Sequence, residues 1–507
     1  MTHVEMESPR PQQPGALSRA QTSGERAPRP RSRVRELAPL VLTYGLFGVL
    51  VWAMFSGYFT SEGIGIMALV LMLGLVMAGV QVAAAMILSS FLGMWAAQGW
   101  FAASNLVHDL PFDAVAQWSL TVLPMFIFLG LLLWQSGVTT KLYEAGRDWL
   151  RWLPGGLAVG TNAAGAGMAA VSGSTIGSTY ALARIGMPEM LRAGYDRRLV
   201  VAAIMSAGLP GQLIPPSIMM VLYAGIAQVA VGPQLLAGVV PGLIVFGLYS
   251  AAIVAFALLR PAGVGRDKSL PMPPAATWGT RFRSLGAVWL VPVIVLIVVG
   301  GTFSGVFTAT ESAAVGALVA LVATLWYRRR TGPVAAVRTS VVGSLEGVGA
   351  VFLVIIGSYA TSDMLAVTGL GNAFTDWVSG LGLSRVAFLL VLFVGYLILG
   401  TFIEPLPMML MTVPLLLPAL QEAEISLMWF GVFVVFMGEL AILTPPVGIL
   451  LYVIANLTKE PEVNAGVSIS MRDLFVAQLV LLPVALVVVL VLIFFPEAVT
   501  ALPNLSE

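Results

Sequence analysis

The chain has no cysteine and only two histidines in 507 residues, which excludes disulfides, thiolate metal sites and cysteine nucleophiles. His3 falls in a polar tail and His108 in a short acidic stretch, so a histidine-based transition-metal cluster lacks ligands as well. Charge is scarce. Charged residues make up 10% and the formal net charge is +1, which leaves no basic footprint for nucleic acid. Neither GxSxG nor HExxH occurs, and few general bases remain, so an intramembrane hydrolase is disfavoured. What the chain has instead is apolar residues, 58% of the total, at a mean hydropathy of +0.93. Such a composition belongs to a protein that crosses a lipid bilayer many times.

A membrane-crossing helix needs roughly 20 apolar residues. Stretches of about that length occur at 36–57, 119–137, 199–225, 232–259, 284–300, 308–327, 341–360 and 473–495. Residues 1–35, rich in Pro, Arg, Ser and Gln, cannot bury enough apolar surface to fold alone and read as a disordered tail. Arg19, Arg26, Arg29, Arg31, Arg33 and Arg35 precede the first apolar stretch and place the N-terminus on the cytoplasmic side. A cleaved signal peptide is the rival reading, but its charged region would be unusually long and "MFSGYFTSEG" is a poor cleavage site.

Counting from an inside N-terminus gives a test of the topology. Residues 36–57 go out, 62–98 break near Gly79 into two and end outside at a loop with Asp109 and Asp113, and 119–137 return to Lys141, Arg147 and Arg151. Residues 153–190 are interrupted by "SGSTIGST" and flanked inside by basic residues, which reads as a re-entrant hairpin. Residues 199–225 go out and 232–259 return to Arg260, Arg266, Lys268, Arg281 and Arg283, within a hydrophilic linker at 261–283. In the second half, 284–300 leave, 308–327 return to Arg328, Arg329 and Arg330, and 341–368 leave again. Residues 386–421, interrupted by "GTFIEPLP", form a second hairpin with both ends outside, before 428–456 and 473–495 complete the chain.

Each hairpin is followed at similar spacing by a Pro-Pro pair, "GQLIPPSI" and "AILTPPVG". The separation is 43 positions from Ser172 to Pro215 and 41 from Glu404 to Pro445. The expected fold is therefore all-α, with inverted repeats at 61–260 and 284–499 after an extra helix at 36–60. Proline removes a backbone donor and frees carbonyls that lipid cannot satisfy. A single such proline is more often a kink than a site. Paired prolines behind polar-tipped hairpins in both halves favour coordination of a small hard cation such as Na⁺, with helix N-termini facing an anion.

"AAVSGSTIGST", "GLPGQLIPPSI", "FTATESAAV", "GTFIEPLPMMLMTVPLLLP" and "ELAILTPPVGILLYV" together resemble the signature segments of the large membrane subunit of tripartite ATP-independent periplasmic (TRAP) transporters, in the family's order from about residue 62 to 498. The resemblance implies an elevator-type, Na⁺-driven importer of organic acids, of the C4-dicarboxylate or sugar-acid type, in the bacterial inner membrane. It also implies two partners, a small four-helix membrane subunit and a periplasmic substrate-binding protein. Carried over by position, one Na⁺ site would use Ser172 and Thr175 with carbonyls of Gly211, Ile214 and Pro215. The other would use Gly400 with carbonyls of Ala441, Thr444 and Val447. Ser174, Gln212, Thr401 and Glu404 are the candidates for touching the organic anion. The family usually has Gly where Ala441 stands and Asp where Glu404 stands, and Pro210 and Gln212 are unusual beside the first pair.

Other intramembrane polar residues have competing readings. Glu404 is a costly carboxylate at membrane depth that either functions or bonds a hairpin amide. Arg184 either snorkels to the inner interface or helps hold an anion. Thr308 to Glu311, "TATE", fits a helix capping box. Glu439 is either an ion relay or an internal hydrogen-bond partner, and Asp363 reads as solvated near the outer interface. A stand-alone carrier of the same superfamily and, behind it, a channel are the alternative functions.

Overall fold

The computed structural model describes residues 45–265, 277–444 and 448–505. The tail at 1–35, the middle of the 261–283 linker, and Pro445, Pro446 and Val447 lie outside the described residues. The chain divides into two units, Met1–Val49 and Leu50–Glu507. In the first, the described residues 45–49 are helical. In the second, every named element among the described residues is a helix, and the one extended contact is an isolated bridge between Tyr195 and Val264.

Among the described residues, four helices are long and apolar enough to cross a membrane unaided: Val231–Leu259, Ala309–Arg328, Pro333–Thr368 and Met471–Phe494. Two bent pairs, Val122–Ser136 with Val138–Leu150 and Trp278–Ala287 with Leu290–Phe303, could add one span each. The sequence reading has more spans because apolar helices such as Ser61–Met77, Val82–Gln98, Arg385–Gly400 and Leu427–Ala441 are each 17 residues or shorter. Gly79, at φ +87°, separates Ser61–Met77 from Val82–Gln98, and Gly137, at φ +79°, sets the 70° bend after Ser136. Both positions need the left-handed backbone that glycine adopts without penalty. A difference from the sequence reading lies at 100–115, expected as an outer acidic loop and found as the helix Trp100–Val115. His108, Asp109 and Asp113 dilute its hydropathy, while Ala103, Leu106 and Ala114 recur on one buried face.

The long uninterrupted helices pack together. Pro333–Thr368 lies against Val82–Gln98 and Val122–Ser136, and Ala309–Arg328 lies against Val122–Ser136. At about 1.5 Å per residue, the 36 residues of Pro333–Thr368 extend about 54 Å, well beyond a hydrocarbon core of about 30 Å. Polar side chains join these helices inside the lipid-facing bundle. Ser90 Oγ donates to Thr361 Oγ1 at 3.1 Å, and Thr324 Oγ1 donates to the Leu132 carbonyl at 2.9 Å. Ala309–Arg328 begins with the capping box, in which Glu311 N–H donates to Thr308 Oγ1 while Glu311 Oε2 accepts from Thr308 N–H.

The broken elements form the other part of the helical assembly. Helices Gly156–Ser172 and Thr175–Arg192 pack on each other around Gly173 and Ser174, and Arg385–Gly400 and Pro405–Glu422 meet around residues 401–404. Each pair precedes an interrupted helix: Arg197–Ser206 then Ile218–Ile226, and Leu427–Ala441 then Ile449–Leu457. A shift of 230 positions carries Thr175–Arg192 onto Pro405–Glu422 end to end. The same shift brings Ile218–Ile226 to within one residue of Ile449–Leu457.

Leu427–Ala441 is buried from Trp429 to its end on every face, so its apolar residues show no amphipathic stripe. Trp429 stacks on Phe433 at 5.3 Å between ring centroids, and Trp429 Nε1 donates to the Leu492 carbonyl at 3.0 Å. The two interrupted helices are tied together where Tyr223 Oη donates to the Leu427 carbonyl at 2.6 Å. At the other end, the buried Asp473 carboxylate faces Arg197 Nε at 3.2 Å and Arg198 Nε at 3.0 Å.

Candidate functional site

The first interruption runs from Gly208 to Ser217. Pro210, Pro215 and Pro216 each lack a backbone donor, so a continuous helix cannot pass through. The chain instead makes a short 3₁₀ turn at Leu209–Gln212 and restarts at Ile218. Ser217 Oγ caps that restart, accepting from Met220 N–H at 3.3 Å and donating to the Gln212 carbonyl. Among the described residues, the carbonyls of Gly211, Ile214 and Pro215 accept no hydrogen bond.

The first hairpin tip is seated on this interruption at both ends. A Cβ added to Gly208 would fall 2.7 Å from Thr175 Cγ2, and one added to Gly173 would fall 2.5 Å from Ile218 Cδ1. Gly211 abuts the incoming hairpin helix, where a Cβ would meet the Ala166 carbonyl, Ala169 Cβ and Ala170 N, each at 2.5 Å. Ser172 Oγ lies 3.2 Å from Ser178 Oγ and 3.3 Å from the Ser174 carbonyl. Thr175 and Gly211 thus both lie where the hairpin meets the interrupted helix, whereas Ser172 Oγ bonds within its own tip and the Ile214 side chain lies against Gly242.

The second junction repeats this construction. A Cβ on Gly438 would fall 2.9 Å from Pro405 Cβ, and one on Gly400 would fall 1.8 Å from Ala441 Cβ. Under the 230-residue shift, Gly208 with Thr175 becomes Gly438 with Pro405, and Ala170 with Gly211 becomes Gly400 with Ala441. The tight contact is kept while glycine changes sides. Ala441 carries a methyl because Gly400 opposite it carries none. Thr444 is buried, with Oγ1 donating to the Leu440 carbonyl at 2.9 Å and its N–H to the Ala441 carbonyl at 3.0 Å. Val447 lies outside the described residues.

A buried side-chain bond ties the first tip to the second interrupted helix. Thr175 Oγ1, on the first tip, donates to Glu439 Oε2, on the second interrupted helix, at 2.5 Å. Both side chains are buried, so each satisfies a polar group that would otherwise be orphaned.

The four candidates for contacting an anion have different surroundings. Ser174 is exposed and caps Thr175–Arg192 through Gly177 N–H at 3.1 Å. Gln212 is buried, and its Oε1 has no partner among the described residues. Thr401 donates to the Ile398 carbonyl at 2.8 Å. Glu404 is exposed at the start of Pro405–Glu422, with no side-chain cap bond. Arg184 meets neither tip. It pairs with Glu460 at 2.8 Å and lies over the Tyr180 ring at 4.9 Å.

A cavity of about 460 Å³ begins beside the first tip at Ile176 and Gly177 and extends past Tyr180, Val453 and Asn456 to Glu460. Its walls are the outgoing hairpin helix, Trp134 of Val122–Ser136 and the second half of the second interrupted helix, so both halves of the chain line it. The sequence reading missed Gly208, Gly438, Glu460 and the buried amide of Gln478. Gly208 and Gly438 could have been found by applying the Pro215-to-Pro445 spacing to every glycine.

Comparison with known proteins follows the same lines. A family model described as "Tripartite ATP-independent periplasmic transporter, DctM component" matches residues 22–498. The C4-dicarboxylate TRAP transporter large permease protein DctM of Pseudomonas aeruginosa is 31% identical over 396 residues, covering 78% of this chain and 88% of that protein. The ectoine/5-hydroxyectoine TRAP transporter large permease protein UehC of Ruegeria pomeroyi is 28% identical, covering 86% and 97%. The sialic acid TRAP transporter large permease protein SiaM of Vibrio cholerae is 27% identical, covering 79% and 90%. The fold is similar to that of the YdaH transporter of Alcanivorax borkumensis, with a TM-score of 0.55 at 15% identity, covering 80% of this chain and 88% of that one.

Proposed function

The chain belongs to the DctM component family of TRAP transporters, the large permease proteins, and from that premise we propose that it is the Na⁺-coupled importing subunit for a small organic acid. The observation that carries the reading is the pair of junctions, each made of a hairpin tip seated on an interrupted helix. At the first, Ser172 Oγ and the unengaged carbonyls of Gly211, Ile214 and Pro215 offer the hard oxygen donors that Na⁺ takes, and Thr175 Oγ1 adds a further lone pair. At the second, Gly400 and the carbonyls of Ala441, Thr444 and Val447 take the matching roles.

The halves act as inverted repeats whose hairpins and interrupted helices move together past the long helices, in the elevator manner. Both junctions draw on hairpin and interrupted helix alike, so a bound cation favours the assembled state over a splayed one. The candidates for meeting the organic anion are Ser174, Gln212, Thr401 and Glu404, of which Ser174 and Glu404 stand exposed at the two tips while Gln212 and Thr401 are buried. The anion's cytoplasmic release path is the cavity ending at Glu460. Relatives are named for C4-dicarboxylates, sialic acid and ectoine, and a C4-dicarboxylate or sugar acid is the substrate class proposed here. The chain works in the bacterial inner membrane, N-terminus inside, with a small four-helix membrane subunit and a periplasmic binding protein that selects the ligand.

The test is uptake of labelled C4-dicarboxylates and sugar acids into proteoliposomes, with and without an inward Na⁺ gradient, the small subunit and the binding protein. Uptake that needs all three supports the reading. Uptake by this chain alone makes it a stand-alone carrier, and flux indifferent to Na⁺ rejects sodium coupling.

A further inference from the structure

We propose that the groove between Trp289 and the helix Ala309–Arg328 holds one anionic phospholipid, with an acyl chain along Leu318, Val322 and Trp326 and the phosphate at Tyr327, Lys141 and Arg329. The inference goes beyond the function proposed above and needs neither Na⁺ coupling nor the transported acid.

A cavity of about 610 Å³ lies along one side of Ala309–Arg328. Leu318, Val322 and Trp326 recur every fourth residue, so they share one face of that helix, and all three are exposed. From Leu318 to Tyr327 the helix rises roughly 14 Å at about 1.5 Å per residue, close to one leaflet of a hydrocarbon core about 30 Å thick. The opposite wall is Trp289, at the break where Trp278–Ala287 and Leu290–Phe303 bend by 49°. Trp289 Nε1 donates to Tyr327 Oη at 2.9 Å, which fixes the width of the groove at that end. Beyond this bond the lining is wholly aliphatic or aromatic, a surface suited to a hydrocarbon chain.

The end at Tyr327 has the opposite character. Tyr327 Oη accepts from Trp289, and among the described residues its own proton has no acceptor. Lys141 Nζ lies 4.1 Å from the centre of the Tyr327 ring, and the Arg329 guanidinium lies 4.6 Å from the centre of the Trp326 ring. A guanidinium stacked on a ring keeps its N–H edge available for a phosphate. Among the described residues, Lys141, Arg329 and the neighbouring Arg330 form no ion pair with a carboxylate. Glu144, one turn along from Lys141, is exposed. Arg328 is engaged by the Gln135 carbonyl at 2.7 Å and stands apart from this set. An anionic head group answers these cations, while the ammonium of a zwitterionic head opposes them. An apolar helix laid in the groove would cover the hydrocarbon and leave the cations unanswered.

The test is native mass spectrometry of the purified full-length permease, titrated with phosphatidylglycerol and, separately, with phosphatidylethanolamine of the same chains. One phosphatidylglycerol is expected to bind about tenfold more tightly than phosphatidylethanolamine, the scale set by a few basic groups at an anionic head. V322W fills the groove without altering charge, and K141Q with R329Q removes charge without altering the groove. Each should abolish the tight binding. A general basic belt would lose affinity in the charge variant alone, so a V322W protein that binds as the parent does overturns the proposal. Equal binding of the two lipids by the parent overturns it as well. Should V322W not purify, L318W fills the same groove one turn away and is read by the same criterion. Release of the bound lipid on adding the small membrane subunit makes the groove a protein interface and also overturns it.

Discussion

Gly400 and Ala441 occupy one van der Waals space, so that a methyl on the first would overlap the methyl of the second at 1.8 Å. The corresponding pair in the first half, Ala170 and Gly211, divides the same space the other way. Replacing Gly400 by Ala overpacks the second junction and should destabilise the protein by roughly 1–3 kcal/mol. The double change G400A with A441G reproduces the first half's arrangement and should recover most of that loss. Thermal unfolding of the two variants decides the matter, and no recovery in the double variant would show that the contact is not a simple exchange of volume.

The bond from Thr175 to Glu439 makes a second test. Glu439→Leu leaves a buried hydroxyl without its acceptor and should cost about 1–3 kcal/mol, whereas Glu439→Gln keeps an acceptor oxygen and should cost less. Thr175→Val leaves a carboxylate unpaired at the centre of the helical assembly and should be the worst of the three. Unfolding midpoints measured in choline, away from any Na⁺ effect, should rank in that order.

Asp473 anchors the start of the first interrupted helix to the start of the last long helix through Arg197, Arg198 and Ser470. Removing it in D473A should destabilise by about 1–3 kcal/mol, since both guanidinium groups are half exposed and partly screened by water. R197A and R198A alone should each cost less, because the remaining arginine still pairs with the carboxylate. The two single losses should therefore sum to less than the double variant's loss, a coupling that a double-mutant cycle reads directly.

Arg184 is partnered by Glu460 rather than by either tip. Both side chains are about 40% exposed, so R184A should change stability by under about 1 kcal/mol. If Arg184 instead held the transported anion, R184A would raise the uptake KM and the charge swap R184E with E460R would not restore it. The structure predicts an unchanged KM in R184A and in the swap, measured in proteoliposomes.

The breaks were legible in the sequence because their causes are local. Proline cannot donate and glycine turns the chain at Gly79 and Gly173, whatever surrounds them, while the bend at Gly137 was not read from the sequence. The capping box at Thr308 and Glu311 was readable for the same reason, since its partners are three residues apart. What escaped was anything settled between distant elements. Glu439 had two open readings until the fold placed Thr175 beside it, 264 residues away in the chain. The helix Trp100–Val115 was missed because its polar residues fell outside the buried stripe of Ala103, Leu106 and Ala114 and obscured it.

The link from Thr175 to Glu439 has no counterpart under the 230-residue shift, which maps Thr175 to Pro405 and Glu439 to Leu209. Proline has no side-chain proton to give and leucine has no acceptor. Two halves built on one plan are therefore unequal at their meeting point. The first tip is tied to the second interrupted helix by a buried polar bond, while the equivalent place at the second tip, Pro405 against Gly438, is a contact between carbons. The seam between two similar halves is lopsided.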